Sequence, residues 1–355
     1  MLKLEVNIPD RKYPIYIDKG IINRIGEEIR KIYNNKKIAI ITDSNVEKLY
    51  GPQIENNLKK ADFLTKKIII EPGEKSKSFI VLQSVCDELL KFGLNRGDLV
   101  IAFGGGVVGD LGGFAASIIL RGIPYIQIPT TLLSQIDSSI GGKVAINTIH
   151  GKNLIGSFYQ PLAVFIDPDL LKSLDDKFLY DGMAEVIKYG AIRDEKLFYN
   201  LLKYESKEEL FENIEEVIYK SCSIKKDIVE KDEKDKGERM LLNFGHTIGH
   251  GIEKYFKYER YTHGEAVAIG MAVITERSEE LGITEKGTFN LLKNAINKYN
   301  LPHRMPPVNK NELINAIGLD KKNIGKDMHI ILIEKIGKSF VKKIKIDDIE
   351  KYINI

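Results

Sequence analysis

Asp98-Leu99-Val100-Ile101-Ala102-Phe103-Gly104-Gly105-Gly106-Val107-Val108-Gly109-Asp110 joins an apolar run to a glycine-rich turn. From Asp98 to Phe103 the run has the length and apolarity of a strand buried on both faces, as in a parallel sheet. Glycines 104, 106 and 109 fit the G-x-G-x-x-G spacing, and a helical pattern follows to Leu120. Strand, tight turn and helix N-terminus in that order let backbone approach a pyrophosphate, whose charge the helix end favours. Spacing alone does not separate a dinucleotide site from a ligand-free turn. One part of the usual fingerprint is absent, an acidic residue about 20 residues downstream at a strand end. Acidic groups stand upstream instead, at Asp43 after the run KIAIIT and at Glu74 in EPGEKSK.

Residues 1–170 alternate strand and helix patterns around this stretch. Leu2–Ile8 and Tyr13–Ile17 read as a hairpin, Ile21–Tyr33 as a helix and Lys37–Thr42 as a buried strand, with a helix from there to about Lys60. A strand at Lys67–Glu71, a helix at Ser78–Phe92 and a strand at Tyr125–Ile128 complete the rhythm. The reading is an α/β, Rossmann-like nucleotide-binding domain with a parallel sheet. Residues 171–355 change character: helical stretches are expected at Phe178–Lys203, Lys207–Lys231, Glu238–Phe256, Glu265–Glu280 and Lys286–Tyr299. This second domain is read as all-α, interrupted by one late hairpin at Met328–Ile344.

At 355 residues the chain favours two domains, since single cores stop growing near ~250–300 residues. With 53 basic and 50 acidic side chains, the net charge of +3 is too even for a nucleic-acid surface. No run approaches the ~18–20 apolar residues of a membrane span, and the N-terminus lacks a signal-peptide core. Cys86 and Cys222 are far apart and in no CxxC pair, as expected of reduced thiols in a cytoplasmic protein.

Two constellations carry chemistry. Of only six histidines, His246, His250 and His263 fall close together. Segment 243–250, NFGHTIGH, is expected to be helical, with His246 and His250 on one face. Such clustering points to a metal or catalytic site more than to structural histidines. Glu185, in the apolar stretch GMAEVIK, is the best carboxylate to join them, although it could instead pair with Lys188 on a helix surface. The second constellation is DSSIGGK, Asp137 to Lys143, followed by Gly151-Lys152-Asn153. With Arg121, Lys188, Lys225 and Arg239 it suggests a pocket for an anion-rich small molecule.

Taken in order, GGGVVGD, RGIPYIQIPTTLLSQIDSSIGGKVAIN, GKNLIGSFYQP, GMAEVIKYG, LLNFGHTIGH and HGEAVAIGM resemble the 3-dehydroquinate synthase family of sugar phosphate cyclases, over essentially the whole chain. The resemblance implies a dehydroquinate-synthase-like fold, NAD⁺, one divalent metal (zinc or cobalt), a sugar phosphate substrate of the shikimate route and a homodimer. It implies Glu185, His246 and His263 as metal ligands, moving His250 to the substrate side. For NAD it implies Asp43, Asn45, Glu74, Lys77, Gly105, Gly106, Val107, Asp110, Thr130, Thr131 and Leu133, with Lys143, Lys152 and Asn153 near both cofactor and substrate. Asp137, Lys143, Lys188, Asn243 and His250 would be catalytic. Arg121, Lys152, Asn153, Lys225 and Arg239 would bind substrate with them, Arg121 in a neighbouring subunit's site, and one of Lys321 and Lys322 would grip an anionic group. Alternatives are another cyclase, making an inosose or a valiolone, or a metal-dependent polyol dehydrogenase. The charged pocket argues against the last, because a neutral polyol needs no such cations.

Overall fold

The computed structural model describes residues 1–9, 11–233, 237–317 and 327–353. Contacts group them into two units, Met1–Leu174 and Asp175–Ile355. In the first unit the strands are β1 (Leu2–Ile8), β2 (Arg11–Ile17), β3 (Lys37–Asp43), β4 (Leu64–Ile70), β5 (Leu99–Gly104), β6 (Tyr125–Pro129), β7 (Lys143–Thr148), β8 (Gly151–Phe158) and β9 (Ala163–Ile166). The helices are α1 (Ile25–Arg30), α2 (Ser44–Lys60), α3 (Phe79–Lys91) and α4 (Gly106–Ile118). Seven strands form one sheet in the order β1-β2-β9-β6-β5-β3-β4.

Burial explains that order. Every residue of β5 is buried, as a central parallel strand with helices on both faces requires. In β1, by contrast, Leu4, Val6 and Ile8 are inward and alternate with exposed residues, which suits its antiparallel pairing with β2 at the sheet edge. One face of the sheet packs Ile41, Val100 and Ala102 against Leu82 and Val85 of α3 and Leu111 of α4. The other packs Ile40, Ile101 and Phe103 against Ile25 of α1 and Ile54 and Leu58 of α2.

The chain runs outward from β3 to β4 and then returns past β3 to β5. The switch point therefore lies between β3 and β5, and Thr42 sits opposite Phe103 at its carboxyl end. Ligands of open α/β sheets bind at that place. Helix α4 starts there and lies close on the sheet. A Cβ on Gly112 would stand 3.0 Å from that of Ala102, and one on Gly109 would stand 2.8 Å from the Gln127 side chain.

Some first-half elements differ from expectation. The stretch after Ile21 begins as a 3-10 turn, Ile21–Arg24, before α1. The β7–β8 hairpin is an addition to the expected elements. Its apolar signal is short: β7 buries Val144, Ala145 and Ile146, while β8 leaves Leu154 and Phe158 exposed.

The second unit holds α5 (Asp176–Arg193), α6 (Glu195–Lys203), α7 (Lys207–Glu212), α8 (Ile214–Lys231), α9 (His246–Tyr255), α10 (His263–Glu280), α11 (Thr288–Lys298), α12 (Lys310–Ala316) and the hairpin β10 (Asp327–Lys335) and β11 (Lys338–Lys345). The antiparallel β10–β11 pair falls where the late hairpin was expected, and the other elements described in this unit are helical. The long helix expected over Phe178–Lys203 divides at Asp194, whose carboxylate caps α6 by accepting the Leu197 N–H at 2.9 Å. A capping side chain offers the backbone an alternative to helix, so it ends one element and starts the next. The helix expected over Glu238–Phe256 is likewise two pieces. A 3-10 turn, Glu238–Asn243, is parted from α9 by Gly245 at φ 79, a left-handed conformation suited to glycine. Among the described residues, no helix is long and apolar enough to cross a membrane.

Candidate active site

Helices α5, α9 and α10 bring three side chains together. Glu185 is on α5, His246 opens α9 and His263 opens α10. The approach depends on small residues. A Cβ on Gly249 of α9 would stand 3.0 Å from the Ala266 carbonyl oxygen of α10. A Cβ on Gly270 would overlap the Gly245 carbonyl, and one on Gly264 that of Asp181. The motif glycines of NFGHTIGH and HGEAVAIGM therefore set backbone-to-backbone packing that aims the imidazoles. Thr262 and Glu265 form a capping box at the start of α10. Asp181, one turn before Glu185, accepts the Gly264 N–H at 2.6 Å and ties that start to α5.

One oxygen of Glu185 lies 3.5 Å from His246 Nε2 and 3.7 Å from His263 Nε2. Ligand atoms from the three residues all lie within 4.8 Å of one another. Glu185 is fully buried and also pairs with Lys188, itself 1 % exposed, so this ion pair is in the core and not on a helix surface.

The two imidazoles differ electrostatically. Burial, with the charge of Lys188 beside it and Glu185 opposing, pushes His246 down to about 3, so it is neutral. Its Nδ1 stands 3.2 Å from the Phe244 carbonyl and must donate there, which leaves a lone pair on Nε2 turned towards Glu185. A lone pair facing a carboxylate is favourable with a cation between them, so the donor set fits a divalent metal. For His263, burial alone would lower the pKa, but the hydrogen bonds that its ring donates to the Glu185 and Glu253 carboxylates outweigh it and raise the value to about 10. Its Nδ1 is 3.5 Å from Glu253. The carboxylates here select positive charge, supplied by a proton or by a metal.

A second trio, His250, Glu253 and His263, shares His263 with the first. Neither trio joins His246 with His250, the pair that spacing alone favoured; His250 is the more exposed histidine. A cavity of about 250 Å³ is lined by Met240, Asn243, His246, Thr247, His250, His329 and Ile331. Asn243 and His250, both expected on the substrate side, therefore line one cavity with the metal-type residue His246. Lys225 on α8 and Arg239 in the following 3-10 turn are buried cations. Arg239 donates to the Glu233 carbonyl, and its N–H donates to Asp232 at 3.1 Å. Lys321 and Lys322 lie outside the described residues.

In the first unit the cofactor-type residues follow the carboxyl ends of parallel strands. Asp43 ends β3, Gly105–Val107 follow β5, and Thr130–Leu133 follow β6. One Asp43 oxygen caps α2, accepting the Asn45 and Val46 N–H groups at 2.9 and 3.1 Å. The Thr131 N–H donates to Ser134 at 3.1 Å. Lys77, 4 % exposed, donates to Asp110 at 2.6 Å and also to the Asn153 side chain. Asp137 is half-buried in a π-type turn, Ser134–Ser138, while Lys143 opens β7 exposed and Lys152 is half-buried on β8. Arg121 is exposed with φ 69, in the left-handed region unusual for a bulky residue.

Two residues of the histidine cluster escaped the sequence reading. Glu253 sits three residues after His250 and seven after His246, on the same face of α9, a spacing that already marked it. His329 arrives on a strand far along the chain, and only its rarity as a histidine marked it.

Comparison with known proteins narrows what such a chain is. Residues 67–181 match the 3-dehydroquinate synthase N-terminal family and residues 182–323 the 3-dehydroquinate synthase C-terminal family. A 3-dehydroquinate synthase from Clostridium acetobutylicum is 53% identical over 355 residues, all of both chains. The 2-epi-5-epi-valiolone synthase of Streptomyces hygroscopicus, solved with NAD⁺ and Zn²⁺ bound, superposes at a TM-score of 0.87 with 26% identity, over 97% of this chain and 96% of that one. A 2-deoxy-scyllo-inosose synthase in complex with carbaglucose-6-phosphate, NAD⁺ and Co²⁺ gives 0.85 at 23% identity, over 99% of each chain, and shares the fold. By both family matches and by full-length identity, the chain belongs to the 3-dehydroquinate synthase family.

Proposed function

We propose that the chain converts 3-deoxy-D-arabino-heptulosonate 7-phosphate to 3-dehydroquinate and phosphate, acting as a carbon–oxygen lyase. The observation that carries this is the Glu185, His246 and His263 cluster in a chain 53% identical to a 3-dehydroquinate synthase along its whole length. Identity to the valiolone synthase is half as high, at 26%, which supports the dehydroquinate reading over that alternative.

In this reading the second unit holds a divalent metal, zinc or cobalt, through Glu185, His246 and His263. NAD⁺ is held in the first unit by the loops after β3, β4, β5 and β6. When bound, the metal supplies Lewis acidity to a substrate hydroxyl and NAD⁺ supplies a reversible hydride acceptor. The chain's own side chains bind and orient. Lys188, Lys225 and Arg239 of the second unit, and Lys143 and Lys152 of the first, are cations of the kind that select a carboxylate or a phosphate over a neutral polyol. Asn243 and His250, on the wall of the same cavity as His246, hold substrate hydroxyls and handle a proton at the imidazole. Asp137 orients Lys143 or the substrate from its turn. The family resemblance further supports a cytoplasmic homodimer in which Arg121 serves the neighbouring subunit.

The test is a phosphate-release assay with the heptulosonate phosphate, run with and without chelator. Release that needs metal and NAD⁺, with no net accumulation of NADH, is expected. Stoichiometric NADH would instead identify a dehydrogenase and sink the proposal.

A further inference from the structure

Asn147, the last residue of the stretch RGIPYIQIPTTLLSQIDSSIGGKVAIN, touches three of the residues to which the dinucleotide reading assigns the cofactor, yet that reading gives it no role. It stands half-buried near the end of β7. Its N–H donates to the Lys77 carbonyl at 2.8 Å. Its side-chain Nδ2 donates to Glu74 Oε1 at 2.7 Å, and its Oδ1 accepts the Asn153 N–H at 2.9 Å. Those partners fix the amide orientation, because a carboxylate requires the NH₂ end and an N–H requires the oxygen. Asn153 is held at φ 57, a left-handed conformation that asparagine tolerates but does not prefer, and its side chain receives the Lys77 ammonium. Lys77 in turn pairs with Asp110 on α4. The turn after β4, the first turns of α4 and the β7–β8 hairpin are thus one hydrogen-bonded network, with Asn147 linking the first to the third.

We propose that Asn147 is a positioning residue for the dinucleotide: it clasps Glu74, Lys77 and Asn153 into the arrangement the cofactor meets. This rests on the NAD⁺ reading above and deepens it. Binding is tighter when the loops that contact a ligand are ordered beforehand, because ordering otherwise costs part of the binding energy. The backbone arm to Lys77 survives any substitution, so side-chain variants isolate the other two arms.

The experiment is calorimetric titration of NAD⁺ into metal-loaded, substrate-free protein, with metal content and melting temperature recorded for each variant. Asn147→Ala is expected to weaken NAD⁺ binding about tenfold, the scale of losing a charged hydrogen bond and its ordering, with metal content unchanged. Asn147→Asp keeps the acceptor for Asn153 but sets a carboxylate against Glu74, and it should also bind NAD⁺ more weakly. Adding Glu74→Gln to Asn147→Asp restores a donor–acceptor pair with the roles exchanged, so the double variant should bind more tightly than Asn147→Asp alone. A general loss of stability would not be repaired in that way. If the wild-type protein takes up no NAD⁺, the dinucleotide reading itself fails. If the wild type binds and Asn147→Ala binds within twofold of it, or Glu74→Gln does not improve Asn147→Asp, the clasp is overturned while the dinucleotide reading stands.

Discussion

The two chemically charged regions of this chain are built in opposite ways. In the second unit the cluster of Glu185, His246 and His263 rests on three helices packed backbone to backbone at glycines. In the first unit the network of Glu74, Lys77, Asp110, Asn147 and Asn153 rests largely on turns and a hairpin, joined by side-chain hydrogen bonds. A metal tolerates errors of only about 0.2 Å in donor position, which suits rigid elements. A dinucleotide is long, meets many partners and depends more on backbone and loops. Losing one group should therefore be severe in the helical cluster and graded in the loop network.

The largest effect expected is that of His263→Ala. It should remove bound metal and lower turnover by about a thousandfold or more, since a three-donor site loses affinity steeply with one donor. Metal analysis alongside the phosphate assay checks this; wild-type metal content in the variant would remove His263 from the ligand set.

Next is the pH dependence of metal uptake. His263 is raised to about 10 without metal, so below that pH a proton must leave before its nitrogen can ligate. His246, near 3, is already neutral and contributes no second proton. Apparent metal affinity should thus rise with pH by about tenfold per unit between 6 and 8, a slope of one proton and not two. Competition with a chelator of known proton dependence measures it, and a flat profile would contradict the electrostatic account of the cluster.

The smallest effect expected is in the loop network. Lys77→Met removes the ammonium between Asp110 and Asn153 and should weaken NAD⁺ several-fold, about 1 kcal/mol, without changing metal content. Loss of metal in that variant would erase the contrast between the regions.

Much of this architecture was legible beforehand for a local reason. Burial on both faces makes β3 and β5 continuous apolar runs, and the glycine turn after β5 follows from its spacing. Glu185 stood out as a charge in an apolar helix. Less legible were elements whose signal is split between faces or overridden locally. Hairpin β7–β8 buries too few residues to show a strand pattern, the Asp194 cap ends a helix that propensity would continue, and Gly245 delays α9 until His246.

Sequence alone determined the order of strand and helix in the first unit, the mostly helical second unit and the family, because periodicity and motif spacing are properties of neighbours along the chain. Tertiary packing set which imidazole nitrogens face Glu185, that Lys188 shares its carboxylate in the core, that Glu253 lies behind His263, that His329 lines one cavity with His246, and that Asn147 links two loops. Those facts arise from contacts between residues distant in sequence, and their geometry is set by how closely helices and loops pack, which no local pattern encodes.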